Sequence, residues 1–324
     1  MKAIQCVQWG GPEKLQLSEC PLPAPAAGEV RIRVDAAGVN FPDALIIQKK
    51  YQLQPPLPFT PGTEVAGTVD AVGEGVGRLK AGDRVVAFVG IGGFAEYVCA
   101  AQAQVAPMPP GVDAAVAAGF TLTYATSQHA LVERGQLKAG ETLLVLGAGG
   151  GVGLAAVELG KLAGARVIAA ASSPEKLDAA RRAGADELID YSQADLREAV
   201  KVMTDGRGVD VVYDPVGGQY TAAALRTLAW RGRLLVIGFA AGEIPSIPAN
   251  PLLLKEVSAV GVYWGEFAKR DPAGNRRLMA QLFGWLAEGS LRPVVSKRYP
   301  LVDTANALQD VLARRAVGKL VITI

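Results

Sequence analysis

The residues with the clearest chemical meaning lie between Glu141 and Gly153, where the chain reads ETLLVLGAGGGVG. Ala148, Gly150 and Gly153 stand at the spacing G-x-G-x-x-G, with alanine in the first place and further glycines at 147, 149 and 151. Residues without side chains let backbone N–H donors approach a pyrophosphate, and the positive end of a helix dipole can face the same anion. Such a site needs a strand before the turn and a helix after it. Thr142 to Leu146 is a short apolar run suited to a strand buried on both faces of a parallel sheet. After Gly153, LAAVELGKLAG has the small and aliphatic residues of a helix packed on that sheet, and a second strand, Arg166 to Ala171, arrives at the expected distance. A tight turn with no ligand is the plain alternative, and the strand and helix around it weigh against that.

The end of the second strand decides which dinucleotide is bound. An acid there would hold the ribose 2′-hydroxyl of NAD. Ala171, Ser172 and Ser173 stand there instead, with Lys176 a turn further on. Two hydroxyls and an ammonium suit a 2′-phosphate that a carboxylate would repel, so NADPH is the expected cofactor. Ser172, Ser173 and Pro174 also make an ordinary helix start, but capping does not account for the missing acid.

A chain of 324 residues, 50% hydrophobic, is long enough for two domains with separate cores. Its 33 basic and 31 acidic residues give a net charge of +2 and are spread along the sequence, leaving no electrostatic footprint for nucleic acid or an anionic membrane. The start lacks a signal core or transit-peptide character and no apolar run approaches membrane-spanning length, so a soluble cytoplasmic protein is expected. Cys6, Cys20 and Cys99 fit reduced thiols better than a disulfide framework. With a single histidine, His129, and no paired spacing, they make no convincing zinc site. His129 itself reads as a helix residue rather than a proton carrier.

Residues 1–122 are mostly alternating β segments separated by glycine and proline turns, with a helical piece from Phe41 to Tyr51, and VDAAVAAGFTLTYATSQHALVERG, which follows them, reads as helix. Beyond the glycine turn, strands and helices alternate, giving six strands of a doubly wound parallel Rossmann sheet over 123–264. Residues 265–324 find no place in a completed sheet. They are assigned to the first, barrel-like domain, which is thereby discontinuous.

Several stretches together resemble the medium-chain dehydrogenase/reductases, in the zinc-free quinone oxidoreductase branch related to ζ-crystallin. They are AAGVNFPD (36–43), PGTEVAGTVDAVGEGV (61–76), GDRVVAF (82–88), GFAEY (93–97), LTYATS (122–127), GAGGGVG (147–153), YDPVGG (213–218), RGRLLVIGF (231–239) and the closing VGKLVITI. The resemblance implies an α/β fold with a GroES-like catalytic domain beside the Rossmann domain, a cofactor in the cleft between them, and a homodimer joined near SAVGVYW. Zinc alcohol dehydrogenases of the superfamily have a cysteine where this chain has Asn40, a histidine where it has Thr63, and a four-cysteine lobe that is missing here.

Carried over by position, the resemblance places Asn40 and Thr123 by the nicotinamide and Gly150, Gly151 and Val152 under the pyrophosphate. Ser172, Lys176 and Tyr191 surround the adenosine phosphate, and Gly238, Phe239, Tyr263 and Lys319 complete the pocket. Tyr51 is the candidate hydroxyl facing the substrate, making Tyr51, Asn40 and Thr123 the candidate catalytic group. Leu45 stands where relatives such as ζ-crystallin have a tyrosine. Plainer roles exist for some of these: Asn40 could bond backbone groups, Asp43 could start a helix, and Tyr51 could simply pack.

The function implied is zinc-independent, NADPH-dependent reduction of a quinone or an α,β-unsaturated carbonyl, whose delocalised product anion has less need of a Lewis acid. An enoyl-thioester reductase is the nearest alternative. A non-enzymatic NADPH-binding or structural protein is the other.

Overall fold

The computed structural model describes residues 1–324, which group into two units. One contains Met1–Leu122, Leu286–Glu288 and Pro293–Ile324; the other contains Thr123–Trp285 and Gly289–Arg292. The fold is α/β, with a parallel Rossmann sheet in one unit and a GroES-like, mostly antiparallel sheet in the other.

In the barrel unit, the strand Glu29–Val39 is the organising element. Val30, Ile32 and Val34 alternate inward with Arg31, Arg33 and Asp35, the period-2 pattern of a half-covered strand. From Ala36 to Val39 every residue is buried. Glu64–Val72, Tyr97–Ala101 and the last strand, Lys319–Thr323, all pair antiparallel with this strand. The register aligns Gly38 with Glu64 and Val39 with Leu320, so residues far apart in sequence meet at one end of the strand.

The helix after it spans Phe41–Ile46 only, shorter than the segment expected to reach Tyr51. Lys49 adopts φ 58, and the amides of Lys49 and Lys50 return to the carbonyls of Ile46 and Leu45, a Schellman closure that stops the helix early. The long helix expected after Val112 is likewise divided, into Ala114–Ala118, Thr121–Gln128 and a π-type turn His129–Arg134. Gly119 marks the first break: a Cβ there would lie 3.3 Å from the Lys319 stem.

In the other unit the strands Thr142–Leu146, Arg166–Ala171, Glu187–Asp190, Val209–Asp214, Leu228–Val236 and Ser258–Gly261 form one parallel sheet. The chain runs outward from Thr142–Leu146 through the next two strands, then returns to lay Val209–Asp214 on its other side. That reversal makes the carboxyl ends of these two central strands the switch point, where doubly wound sheets bind ligands. Gly265–Trp285 groups with this unit rather than with the barrel. The Trp264 indole donates to Asn275 Oδ1 at 2.9 Å, Gln128 donates to Gln281 at 3.3 Å, and Phe267 stacks on His129 at 4.3 Å between ring centroids.

Helix Gly151–Leu162 settles on the sheet because Gly153 has no side chain: a Cβ would fall 2.3 Å from the Gly147 carbonyl oxygen and 2.8 Å from the Ala148 Cα. We predict that Gly153→Ala lowers stability by about 1–3 kcal/mol, the range for overpacking a close contact, read as a fall in thermal midpoint. An unchanged midpoint would show that the helix can lift at no cost.

Candidate functional site

The turn at the end of Thr142–Leu146 is built from close backbone approaches. Gly147 takes φ 58, and its carbonyl accepts from Gly150 N–H at 3.0 Å. Gly150 caps helix Gly151–Leu162, so the N–H groups of the first turn have no partner within the helix and are available to an anion. A Cβ on Gly150 would meet nothing nearer than the Gly147 oxygen at 3.5 Å, leaving open space above the turn.

Neighbouring elements hold this turn through residues that the sequence reading did not single out. Ser127 Oγ donates to the Val152 carbonyl at 3.0 Å and lies 2.8 Å from the Tyr213 hydroxyl. Having one proton, already given to Val152, Ser127 accepts from Tyr213. Burial, only partly offset by Ser127, pushes the Tyr213 hydroxyl well above its ordinary range, which keeps it a proton donor. Thr123, buried, lies one turn before Ser127 and on the same face of the helix. Buried Asp214 secures the next loop: one oxygen accepts from Val216 and Gly217 N–H at 2.8 and 2.9 Å, the other from Thr221 Oγ1 at 2.6 Å. Its carbonyl accepts from Ile237 N–H at 3.0 Å, which draws Gly238 and Phe239 in beside Gly217. LTYATS and YDPVGG contain these residues, but no spacing rule distinguishes a hydroxyl that braces a turn from one that simply packs.

Along the same edge, Arg166–Ala171 ends at exposed Ser172, and helix Pro174–Arg182 begins with Ser173 as its cap and half-buried Lys176 in its first turn. Tyr191 follows the adjacent strand, its N–H bonded to the Ala171 carbonyl at 3.1 Å and its ring 4.8 Å from that of Tyr220. One acid, Asp190, does pair with Ala171 across the sheet, but Ser192 claims its Oδ1 through both N–H and hydroxyl. Tyr263, half exposed, follows the edge strand Ser258–Gly261. The carboxyl edge of one sheet therefore carries Thr123, Gly150, Gly151, Val152, Ser172, Lys176, Tyr191, Gly238, Phe239 and Tyr263, all within one unit.

Asn40, Tyr51 and Lys319 belong to the barrel unit. Lys319 is 5% exposed, and its ammonium donates to the Val39 carbonyl at 2.9 Å, Asn40 Oδ1 at 2.5 Å and Glu64 Oε1 at 3.0 Å. Asn40 Nδ2 donates to Thr63 Oγ1 at 3.1 Å and Glu64 Oε1 at 2.9 Å, while the other Glu64 oxygen accepts from Leu122 N–H at 2.8 Å. Gly38 makes room for this carboxylate, since a Cβ there would stand 2.5 Å from Glu64 Oε1. The donors of Lys319 and the amide of Asn40 are thus spent inside the barrel. Tyr51 packs, half-buried, on the barrel core. Glu64 and Lys319 each open a mostly apolar strand in sequence, which says nothing of their meeting.

Zinc does not fit this cluster. Asn40 and Thr63 offer an amide and a hydroxyl, the Lys319 ammonium already sits as the cation among their oxygens, and nowhere in the chain do three His, Cys, Asp or Glu side chains converge as metal ligands.

Asp43, fully buried, uses Oδ2 to accept from Asn40 N–H at 2.8 Å, holding the helix start, while Oδ1 has no hydrogen-bond partner. Burial pushes its carboxyl up to about 7, against the Asn40 amide, the Lys319 ammonium and the Thr63 hydroxyl, which favour the charged form, and with Glu64, which opposes it. A carboxyl raised on folding stabilises fully below its ordinary range, and that stability is lost as pH climbs through about 7. We predict that Asp43→Asn, which keeps an acceptor for Asn40, gains stability over the parent chain between pH 5 and pH 8, by an amount on the order of a few kcal/mol. Denaturant midpoints across this range check it; a constant difference would refute the buried titration.

The sequence matches two family models, the alcohol dehydrogenase GroES-like domain over residues 26–110 and the zinc-binding dehydrogenase domain over residues 151–281. It is 39% identical over 297 residues to quinone oxidoreductase-like protein 2 of Bos taurus, covering 91% of this chain and 85% of the relative. It is 36% identical over 323 residues to a quinone oxidoreductase of Pseudomonas aeruginosa, covering 99% of each. The structure superposes on that of Escherichia coli quinone oxidoreductase complexed with NADPH with a TM-score of 0.93, 30% identity and full coverage of both chains. The chain belongs to the medium-chain dehydrogenase/reductase superfamily, among the quinone oxidoreductases and their like.

Proposed function

We propose that this chain is an NADPH-dependent reductase that delivers hydride to a quinone or another α,β-unsaturated carbonyl without zinc. The observation that carries the cofactor assignment is the end of Arg166–Ala171, where Ser172 and Ser173 stand in place of an acid on that strand and Lys176 lies beside the glycine turn. NADPH in the Escherichia coli relative supports it. No helix is long and apolar enough to cross a membrane.

Bound NADPH supplies the hydride. The chain supplies the rest: backbone N–H groups of Gly150, Gly151 and Val152 for the pyrophosphate, and Ser172, Lys176 and Tyr191 for the adenosine 2′-phosphate. Thr123, Gly238, Phe239 and Tyr263 line the remainder of the cofactor's place. Tyr51 is the hydroxyl assigned to the substrate oxygen, and neutral donors of this kind suffice where the anion formed is delocalised. Asn40 and Lys319, with their polar atoms engaged together, act as positioning residues within the barrel unit. The exposed edge strand Ser258–Gly261 is assigned to pairing with a second copy, for which twice the chain mass in sedimentation is expected and the chain mass alone would count against it.

Steady-state consumption of NADPH and NADH with a panel of quinones, enones and a crotonyl thioester tests the assignment. Turnover with NADPH and quinone or enone is expected. Preference for the thioester would make the chain an enoyl-thioester reductase, and tight NADPH binding without turnover would make it a binding protein. Lys176→Glu is expected to weaken NADPH binding by about tenfold to a hundredfold, with NADH much less affected. Equal losses would show that Lys176 does not read the 2′-phosphate.

A further inference from the structure

Gly149 is a glycine that the pyrophosphate turn does not require, because the fingerprint falls on 148, 150 and 153. The turn's left-handed glycine is Gly147, and Gly149 lies outside that region. Its backbone would therefore accept any residue, but the space around it would not. A Cβ on Gly149 would stand 2.4 Å from Lys176 Cβ, 2.6 Å from its Cγ and 2.9 Å from its Cα. These atoms are the root of the side chain and the main chain, not a mobile tip. A methyl group could be seated only by moving the first turn of helix Pro174–Arg182. The side-chain cap of that turn is long, with Ser173 Oγ accepting from Lys176 N–H at 3.5 Å, so it gives the Lys176 stem little restraint of its own.

We infer that Gly149 is a positioning residue for coenzyme choice: its bare Cα seats the stem of Lys176 and so fixes the spacing between the pyrophosphate turn and the ammonium that meets the 2′-phosphate. The inference rests on the NADPH assignment above. It separates the glycines by task, with Gly150 leaving room for the ligand, Gly153 for the helix and Gly149 for the residue that distinguishes the two coenzymes.

Calorimetric titration of the full chain with adenosine 2′,5′-diphosphate and with 5′-AMP isolates the 2′-phosphate. The parent chain is expected to prefer the diphosphate by at least about tenfold. Gly149→Ala should reduce that ratio by about tenfold while 5′-AMP affinity changes little, an effect that general loosening of the fold would not give. Lys176→Gly should reduce the ratio to what Ser172 and Tyr191 alone sustain, and adding Gly149→Ala to it should change the ratio no further. Because Lys176→Gly also removes the obstructing Cβ and Cγ, any fall in thermal midpoint caused by Gly149→Ala should be largely rescued in the double variant. A parent ratio near one would overturn the NADPH assignment itself. A normal parent ratio that survives Gly149→Ala would overturn the role of Gly149 alone. If Gly149→Ala does not fold, failure of Lys176→Gly to rescue it would do the same.

Discussion

The carbonyl oxygen of Gly147 lies where a side chain on Gly153 would have to be, only 2.3 Å from the position of its Cβ. That single approach brings helix Gly151–Leu162 down onto strand Thr142–Leu146 and turns the first amides of the helix toward the sheet's carboxyl edge. A phosphate can be held by main chain only where main chain is exposed and fixed. The fixing comes from below and beside: Ser127 and Tyr213 brace the Val152 carbonyl, and the Asp214 carboxylate gathers the neighbouring loop until Val216 lies 2.9 Å from where a Cβ on Gly147 would be. Loosening any of these contacts would give the turn freedom that a ligand would then have to remove.

The barrel unit solves a different electrostatic problem. It buries a lysine, a glutamate and an aspartate together, which is costly unless each finds partners. Lys319 and Glu64 do, through Asn40, Val39 and Leu122, whereas burial makes Asp43 hold its proton more tightly. An ammonium among amide and hydroxyl groups occupies the region where the zinc dehydrogenases, which the sequence resembles, would need thiolate and imidazole. The polar cluster carries its positive charge on a side chain whose donors are already committed.

Most of the architecture was legible in sequence because burial on two faces writes itself as mostly apolar runs: TLLVL, RVIAAA and VDVVYD became strands inside the sheet. The glycine turn was legible for the same reason, since close approach excludes side chains. Helix ends were less so. The segment from Phe41 was expected to run on to Tyr51, but left-handed Lys49 stops it early, and lysine gives no advance sign of that conformation. Least legible was the cluster around Lys319. It depends on the strand register that sets Val39 opposite Leu320 and Gly38 opposite Glu64, a long-range property that no local pattern encodes.

Lys176 and Lys319 show what burial adds to position. Both were assigned to the cofactor by resemblance, and in sequence nothing separates them. In the fold, Lys319 is enclosed, with carbonyl, amide and carboxylate oxygens satisfying its ammonium from within the barrel. Lys176 is half-buried, its stem lodged against Gly149 at the start of a helix whose neighbouring Ser172 is open to solvent. A buried cation with internal partners mainly determines which structure forms, because removing it strands the charge it neutralised. A cation anchored by its stem at an open edge has part of the entropy cost of its placement met by packing. On the proposed cofactor assignment, selectivity for the phosphate would therefore rest with Lys176, while the ammonium of Lys319 is engaged within the barrel.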